Sequence, residues 1–117
     1  MAHKKYIAWF EDLTNKDVPS VGGKNASLGE MIRSLKKENV RVPEGFALTA
    51  AAYREFLRAN DIEERIKEEI DTFKAGKQSL SRTGKTIRRV MKSGHFTEVM
   101  REDIDSSYRE LAKRDRK

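Results

Sequence analysis

The sequence predicts a mostly helical α+β fold with about five helices and two or three short strands. Apolar residues recur at intervals of three and four along most of the chain, which is the spacing of amphipathic helices. Two short apolar stretches near the N-terminus have instead the length and composition of strands. At 117 residues the chain has the length of one domain or part of one, and we expect residues 1–117 to form a single partial domain.

The two strands are expected at Tyr6–Phe10 and Phe46–Leu48. A polar stretch and Pro19 end the first, and the turn Pro43-Glu44-Gly45 precedes the second. Strands this short need a larger sheet, and unpaired strand edges favour pairing with another chain. The sequence therefore predicts self-association through these edges when no further strand covers them.

The first helix follows a pair of glycines. Its N-cap is predicted at Asn25 or Ser27, and Ser27 together with Glu30 has the spacing of a capping box. The predicted buried stripe has the i, i+3, i+4, i+7 pattern and consists of Leu28, Met31, Ile32 and Leu35.

Further helices are expected to begin at Thr49, at Asp61, before Ile87 and at Thr97. The charged end Lys113–Lys117 is expected to fray. The residues predicted to face the interior are Ala52, Tyr53, Phe56, Leu57, Ile62, Ile66, Ile70, Ile87, Val90, Met91, Val99, Met100, Ile104, Tyr108 and Leu111.

The net charge of +6 is concentrated in residues 74–117, which carry 13 Lys and Arg against 6 Asp and Glu. A basic surface attracts nucleic acid or an acidic partner, but the same residues are ordinary on solvated helices. The most basic helical stripe consists of Lys85, Arg88, Arg89 and Lys92. Because acidic residues follow it closely, we interpret it as solvated surface, and nucleic acid is not the expected partner.

The composition excludes several other classes of protein. Charged residues make up 38% of the chain and the mean hydropathy is −0.80, so no apolar run approaches the roughly 18 residues of a membrane span. The chain has no cysteine, which excludes disulfides and thiolate metal sites. The four glutamates at 63, 64, 68 and 69 lack the turn-loop pattern of a cation site and are expected to be solvated. We predict a cytoplasmic protein without membrane contact and without a metal site of its own.

The strongest chemical signal is Gly22-Gly23-Lys24 directly before a helix. Glycine lets backbone N–H groups approach a phosphate closely, the helix start adds partial positive charge, and lysine adds a mobile full charge. A P-loop is excluded, because Val18 and Asn25 stand where it needs glycine and serine or threonine. On chemistry alone, a phosphate site and a plain turn both remain open.

Two longer stretches carry a resemblance. VGGKNASLGEMI and RVPEGFALTAAAYREFL resemble the N-terminal segment of the phosphoenolpyruvate synthase and pyruvate phosphate dikinase family. The resemblance is strong over residues 1–72 and weaker over the basic helical part, 73–117. It implies the N-terminal subdomain of an ATP-grasp domain that binds ATP with Mg²⁺. By position, Lys24 would contact the ATP phosphates, and Gly22 and Gly23 would shape the loop.

The family resemblance also implies what this chain lacks. The full-length family turns ATP, pyruvate and water into phosphoenolpyruvate, AMP and phosphate, using a phosphohistidine domain, a pyruvate barrel and metal-binding acidic residues that all lie further along. Neither His3 nor His95 matches the family's histidine motif, and both are expected at the surface. We therefore expect a fragment that is inactive without the remaining domains. The alternative is a non-enzymatic remnant that acts as a basic protein-binding or nucleic-acid-binding module.

The aromatic residues have two interpretations. Trp9, Phe46, Tyr53 and Phe56 could stack on an adenine ring, but aromatic residues on strands and helix faces usually belong to the core. We predict that they are core residues.

Overall fold

The computed structural model describes residues 5–115 and confirms a mostly helical α+β chain. Within that range it has six α-helices, one more than expected, and two strands. The additional helix is the four-residue α1, which contains Pro19 and lies in a stretch predicted to be a polar connection. The elements are β1 (Ile7–Trp9), 3₁₀ turns at Phe10–Asp12 and Asn15–Asp17, α1 (Val18–Val21), α2 (Gly23–Lys37), β2 (Phe46–Leu48), α3 (Ala50–Ala59), α4 (Ile62–Lys74), α5 (Leu80–Lys92) and α6 (Glu98–Asp115).

The chain forms two compact units. The first comprises the described residues up to Tyr53 and those from Glu98 onward, and the second comprises Arg54–Thr97. Helix α3 therefore begins in the first unit and ends in the second.

In the first unit, β1 and β2 form a two-stranded antiparallel sheet in which Ile7 pairs with Leu48 and Trp9 with Phe46. The rings of Trp9 and Phe46 lie 5.4 Å apart between centroids. Phe10, predicted as the end of the first strand, instead begins a 3₁₀ turn, and its N–H donates to the carbonyl of Gly45 at 3.0 Å. Both strands are thus found where the sequence predicted them, within one residue at each end.

Helix α2 begins earlier than predicted. Gly22 is its N-cap residue, so neither Asn25 nor Ser27 caps it. The side-chain amide of Asn25 instead donates backward to the carbonyl of Val21 at 2.8 Å. Glu30 forms no capping box with Ser27 but accepts a hydrogen bond from the backbone N–H of Asn15 at 3.1 Å. The predicted caps are wrong because the glycine pair itself turns the chain into the helix.

The buried face of α2 also differs from the predicted stripe. Its buried residues are Ala26, Gly29 and Ile32, whereas Met31 is 50% exposed. Gly29 faces the core because the preceding turn crosses the helix closely: a β-carbon added at Gly29 would lie 2.6 Å from Cβ of Leu13. Small residues therefore define this face, and a pattern of large apolar residues does not reveal it. The core around it consists of Leu13, Val21 and Ala26, with Ala8 and Phe10 packed against them.

Thr49 caps α3 as predicted, because its Oγ1 accepts the N–H of Ala52 at 3.2 Å. Tyr53 on the same helix is exposed, although it was predicted to face the interior. The predicted buried face of α3 wrongly included Tyr53, because the small Ala52 next to it occupies the buried position.

In the second unit, α4 and α5 pack against each other. Asp61 stands at the N-cap of α4 but makes no capping hydrogen bond, because it adopts a left-handed conformation with φ 54° in the tight connection from α3. Ser79 caps α5 by accepting the N–H of Arg82 at 3.1 Å. The side chain of Asn60 donates to the carbonyl of His95 and accepts the N–H of His95, at 2.8 and 2.9 Å. These contacts fix the turn that follows α5.

Helix α6 returns to the first unit and packs against β1. Met100 and Ser107 are buried, whereas Val99 and Tyr108 are 58% and 67% exposed, so the predicted stripe is wrong at those two positions. The helix continues to Asp115, which contradicts the expected fraying at Lys113 and Arg114. Arg114 is held by ion pairs with Glu11, Glu44 and Glu110. Arg116 and Lys117, the rest of the predicted frayed end, lie outside the described residues.

Candidate functional site

The approach to the glycine pair is fixed by local hydrogen bonds. Thr14 Oγ1 accepts the N–H of Lys16 at 3.1 Å, and the N–H of Thr14 donates to the carboxylate of Asp17 at 2.8 Å. The short helix α1 follows and ends where the N–H of Gly22 donates to the carbonyl of Val18 at 2.7 Å. The position of the α2 start is therefore set by the turns before it.

Gly22 has φ 86° and ψ 160°. This is a region of backbone space that is essentially restricted to glycine. A glycine at this position is required by the chain's own conformation, whatever else binds there.

Gly23 differs from Gly22 in this respect. It is the first helical residue of α2, and its φ is not positive. Apart from its chain neighbours and the backbone of its own helix turn, a β-carbon added to it would have no atom within 4 Å. Neither backbone strain nor packing within the described residues requires glycine at this position. Its open surroundings would permit a ligand to approach the backbone.

The start of α2 presents unpaired N–H groups. The N–H of Ala26 donates to the carbonyl of Gly22 at 3.1 Å, which is the first hydrogen bond of the helix. The N–H groups of Gly23, Lys24 and Asn25 come before this bond, so they have no acceptor in the preceding turn of their own helix. They are the orphan donors of a helix N-terminus, where the helix dipole also places partial positive charge.

Lys24 is exposed and makes no ion pair with any residue between 5 and 115. The first turn of α2 contains no acidic residue that would neutralise it. The structure therefore brings together the three predicted site residues, Gly22, Gly23 and Lys24, as one exposed positive corner. It holds unpaired backbone donors, a mobile ammonium group and no competing carboxylate.

The other residues considered from the sequence are engaged elsewhere. Trp9 contacts Phe46, and the rings of Phe56 and Phe96 lie 5.8 Å apart. The acidic run on α4 is largely exposed, and its Glu69 accepts a hydrogen bond from Gln78 at 2.9 Å. The described part of the chain contains no group of three or more His, Cys, Asp or Glu residues suited to a metal ion. His95 is exposed as expected, and His3 lies outside the described residues.

One cluster of ion pairs was not predicted from the sequence. Arg114, which was predicted to lie in a frayed end, forms ion pairs with three glutamates. Its Nη1 lies 3.0 Å from Glu11 Oε1 and 3.6 Å from Glu44 Oε2, and its Nε lies 3.3 Å from Glu110 Oε1. Lys36 Nζ lies 3.4 Å from a carboxylate oxygen of Glu11 and of Glu44. The cations and carboxylates of this cluster pair with one another, which gives it a structural role, although Glu44 Oε2 is buried without a hydrogen-bond partner among the described residues. No sequence signal could have shown it, because Arg114 and Glu11 are 103 positions apart.

None of the described helices is long and apolar enough to span a lipid bilayer.

The family match and the similar curated proteins indicate the same family. Residues 18–117 match the family described as pyruvate phosphate dikinase, AMP/ATP-binding domain. The chain is 44% identical over 107 residues to phosphoenolpyruvate synthase of Neisseria meningitidis serogroup B, covering 91% of this chain and 14% of that protein. It is 35% identical over 112 residues to phosphoenolpyruvate synthase of Aquifex aeolicus, covering 95% of this chain and 13% of that protein.

A third relative, phosphoenolpyruvate synthase of Escherichia coli, is 38% identical over 107 residues, which are 91% of this chain and 14% of that protein. The chain therefore spans 13–14% of the length of these three relatives. The family match covers residues 18–117, which include the glycine-lysine corner and all six described helices. The chain belongs to the pyruvate phosphate dikinase AMP/ATP-binding domain family.

Proposed function

We propose that the start of α2, formed by Gly22, Gly23 and Lys24, binds the phosphate groups of ATP. The observation that carries this proposal is the combination of three unpaired N–H groups and an unpaired lysine on one exposed helix start. Phosphate oxygens would accept from the backbone donors, and the ammonium group of Lys24 would neutralise their charge. Gly23 supports the proposal, since the chain itself does not require glycine there.

The wider function follows from the relatives. We propose that the chain supplies the N-terminal part of an ATP-grasp domain in a phosphoenolpyruvate synthase-like enzyme, which converts ATP, pyruvate and water into phosphoenolpyruvate, AMP and phosphate. Phosphoryl transfer depends mostly on positioning and charge neutralisation, which a lysine at a rigid helix start can contribute. The cytoplasm, where ATP is available, is the proposed location.

This chain alone would not complete that reaction. The described residues offer no acidic cluster for Mg²⁺, so we assign no metal ligand to this part of the chain. The catalytic histidine and the pyruvate site are assigned to the remaining domains of such an enzyme. We propose that the isolated chain binds nucleotide weakly and forms neither phosphoenolpyruvate nor AMP. Self-association through the edges of the β1–β2 sheet stays a prediction.

The phosphate site can be tested by NMR titration of the ¹⁵N-labelled chain with Mg-ATP. Among the amides of α1 and α2, the shifts should cluster at residues 22–27, and these shifts should be lost in Lys24→Ala. The matched control is Lys37→Ala, because Lys37 is also an exposed lysine on α2 but lies at the opposite end of the helix. The proposal fails if millimolar Mg-ATP causes no shifts, or if Lys37→Ala weakens the response as much as Lys24→Ala.

A further inference from the structure

Helix α5 carries the least neutralised charge of the described helices. Leu80–Lys92 contains five basic residues and no acidic residue: Arg82, Lys85, Arg88, Arg89 and Lys92. None of the five lies within ion-pair distance of a carboxylate in the range 5–115. Elsewhere in the chain, basic residues such as Lys36, Arg65 and Arg114 are paired.

Three of these cations line one open groove of about 530 Å³. The residues that form it are Ser79, Ser81, Arg82, Lys85, Thr86 and Arg89. Arg82, Lys85 and Arg89 follow the i, i+3, i+7 spacing, so they share one face of α5 over about 10 Å of helix length. Every side chain in this lining can donate a hydrogen bond, and none is a carboxylate.

Thr86 is a second observation that points to a bound acceptor. It is only 8% exposed, yet it lines the groove. Its Oγ1 accepts a long hydrogen bond from Arg89 Nη2 at 3.5 Å, and no acceptor for its own hydroxyl proton exists among residues 5–115. By contrast, the neighbouring buried Thr83 donates its hydroxyl proton to the carbonyl of Ser79 at 2.8 Å. A buried hydroxyl with an unused proton is suited to an oxygen acceptor in the groove.

We propose that this groove binds a small anion with several phosphoryl groups in a row. Arginine forks match phosphate oxygens bidentately, and hydroxyl donors add directional contacts. The groove offers no aromatic side chain on which a base could stack, which argues against single-stranded nucleic acid as the ligand. The site shares no residue with the start of α2 and does not depend on the function proposed for it.

The test is a calorimetric titration of the full chain with inorganic triphosphate in the Lys24→Ala background, which removes the lysine of the other phosphate site. Arg82→Gln/Arg89→Gln should weaken binding about tenfold to a hundredfold, as expected from losing charge-assisted hydrogen bonds. Arg88→Gln/Lys92→Gln is the matched control, because it removes two charges from the same helix outside the groove lining. The affinity of this control variant for triphosphate should change by less than about threefold. Circular dichroism should show all variants folded.

Three results would overturn the proposal. No measurable binding of triphosphate would exclude the site. Equal weakening by both double variants would mean that only the diffuse charge of α5 attracts the anion. A single-stranded oligonucleotide that binds these residues more tightly than triphosphate would assign the surface to nucleic acid instead. Thr86→Val provides an independent check, since it keeps the charge and shape and should still weaken triphosphate binding.

Discussion

The guanidinium of Arg114 lies over the ring of Trp9, with 3.9 Å between the guanidinium carbon and the ring centroid. The same side chain is paired with Glu11, on the 3₁₀ turn that follows β1, and with Glu110 on its own helix. Glu11 also contacts Lys36 near the end of α2. Arg114 thereby links α6 to the elements that pack around α2, and it is only 25% exposed.

We predict that Arg114→Ala lowers the free energy of unfolding by about 1–2 kcal/mol, from one cation–π contact and partly buried ion pairs. Arg114→Lys should recover only part of this loss, because it keeps the charge without the planar fork. Urea denaturation measures the free energy of unfolding of both variants. Arg109→Ala is the control, since Arg109 is an exposed arginine on the same helix. Equal stability of Arg114→Ala and Arg109→Ala would contradict the structural role of Arg114.

The contribution of Arg114 to the free energy of unfolding should not depend on pH near neutrality. Burial lowers the pKa of Arg114, but its hydrogen bonds to Glu11 and Glu110 and the charges of Glu11 and Glu44 outweigh burial and raise the pKa above its usual value. A raised folded-state pKa means that the stabilisation is complete below the unfolded-state pKa and is lost only as the pH rises through the folded-state value. The stability gap between the native chain and Arg114→Ala should therefore stay constant from about pH 6 to 10. A gap that shrinks across this range would show that another group titrates instead.

Gly29 should tolerate no side chain. A β-carbon there would lie 2.6 Å from Leu13 Cβ and 2.8 Å from the carbonyl oxygen of Phe10. Because backbone must move to relieve this overlap, Gly29→Ala should destabilise the chain by about 2 kcal/mol or more, despite the higher helix propensity of alanine. Ser34→Ala, at an exposed position of α2, is the control and should change stability little. A Gly29→Ala variant as stable as the native chain would contradict the packing of α2 on the turn.

The features of the fold that were predictable from the sequence depend on local signals. The strand at Phe46–Leu48 and the Thr49 cap were predictable, since a turn motif and a capping residue act on their immediate neighbours. The buried face of α2 was not, because Gly29 is buried through close backbone approach and carries no hydrophobic signal. The role of Arg114 depends on Glu11, which is remote in sequence. The residues proposed for the phosphate site, Gly22, Gly23 and Lys24, could be selected from the sequence because they are consecutive, and their role stays a prediction.

Gly22 should resist replacement for a reason different from that of Gly29. Its φ of 86° and ψ of 160° lie in a region open almost only to glycine, so Gly22→Ala should cost about 1–3 kcal/mol. Gly22→Asn should be no better, because asparagine tolerates the left-handed helical region and not this one. Thermal unfolding of both variants measures the effect. Rescue by asparagine would show that this residue adopts an ordinary left-handed turn.

Phosphate binding at the start of α2 is tested most sharply by measuring Mg-ATP binding and stability together in Gly23→Ala. This change alters no charge and places a methyl group where, apart from the chain neighbours of Gly23 and the backbone of its own helix turn, no described atom lies within 4 Å. We predict that the free energy of unfolding stays within about 0.5 kcal/mol of the native value or rises slightly. The ATP-induced amide shifts at residues 22–27 should be lost, because the methyl group blocks the approach of phosphate to the N–H groups. Unchanged ATP shifts in the folded Gly23→Ala variant would contradict phosphate binding at the start of α2.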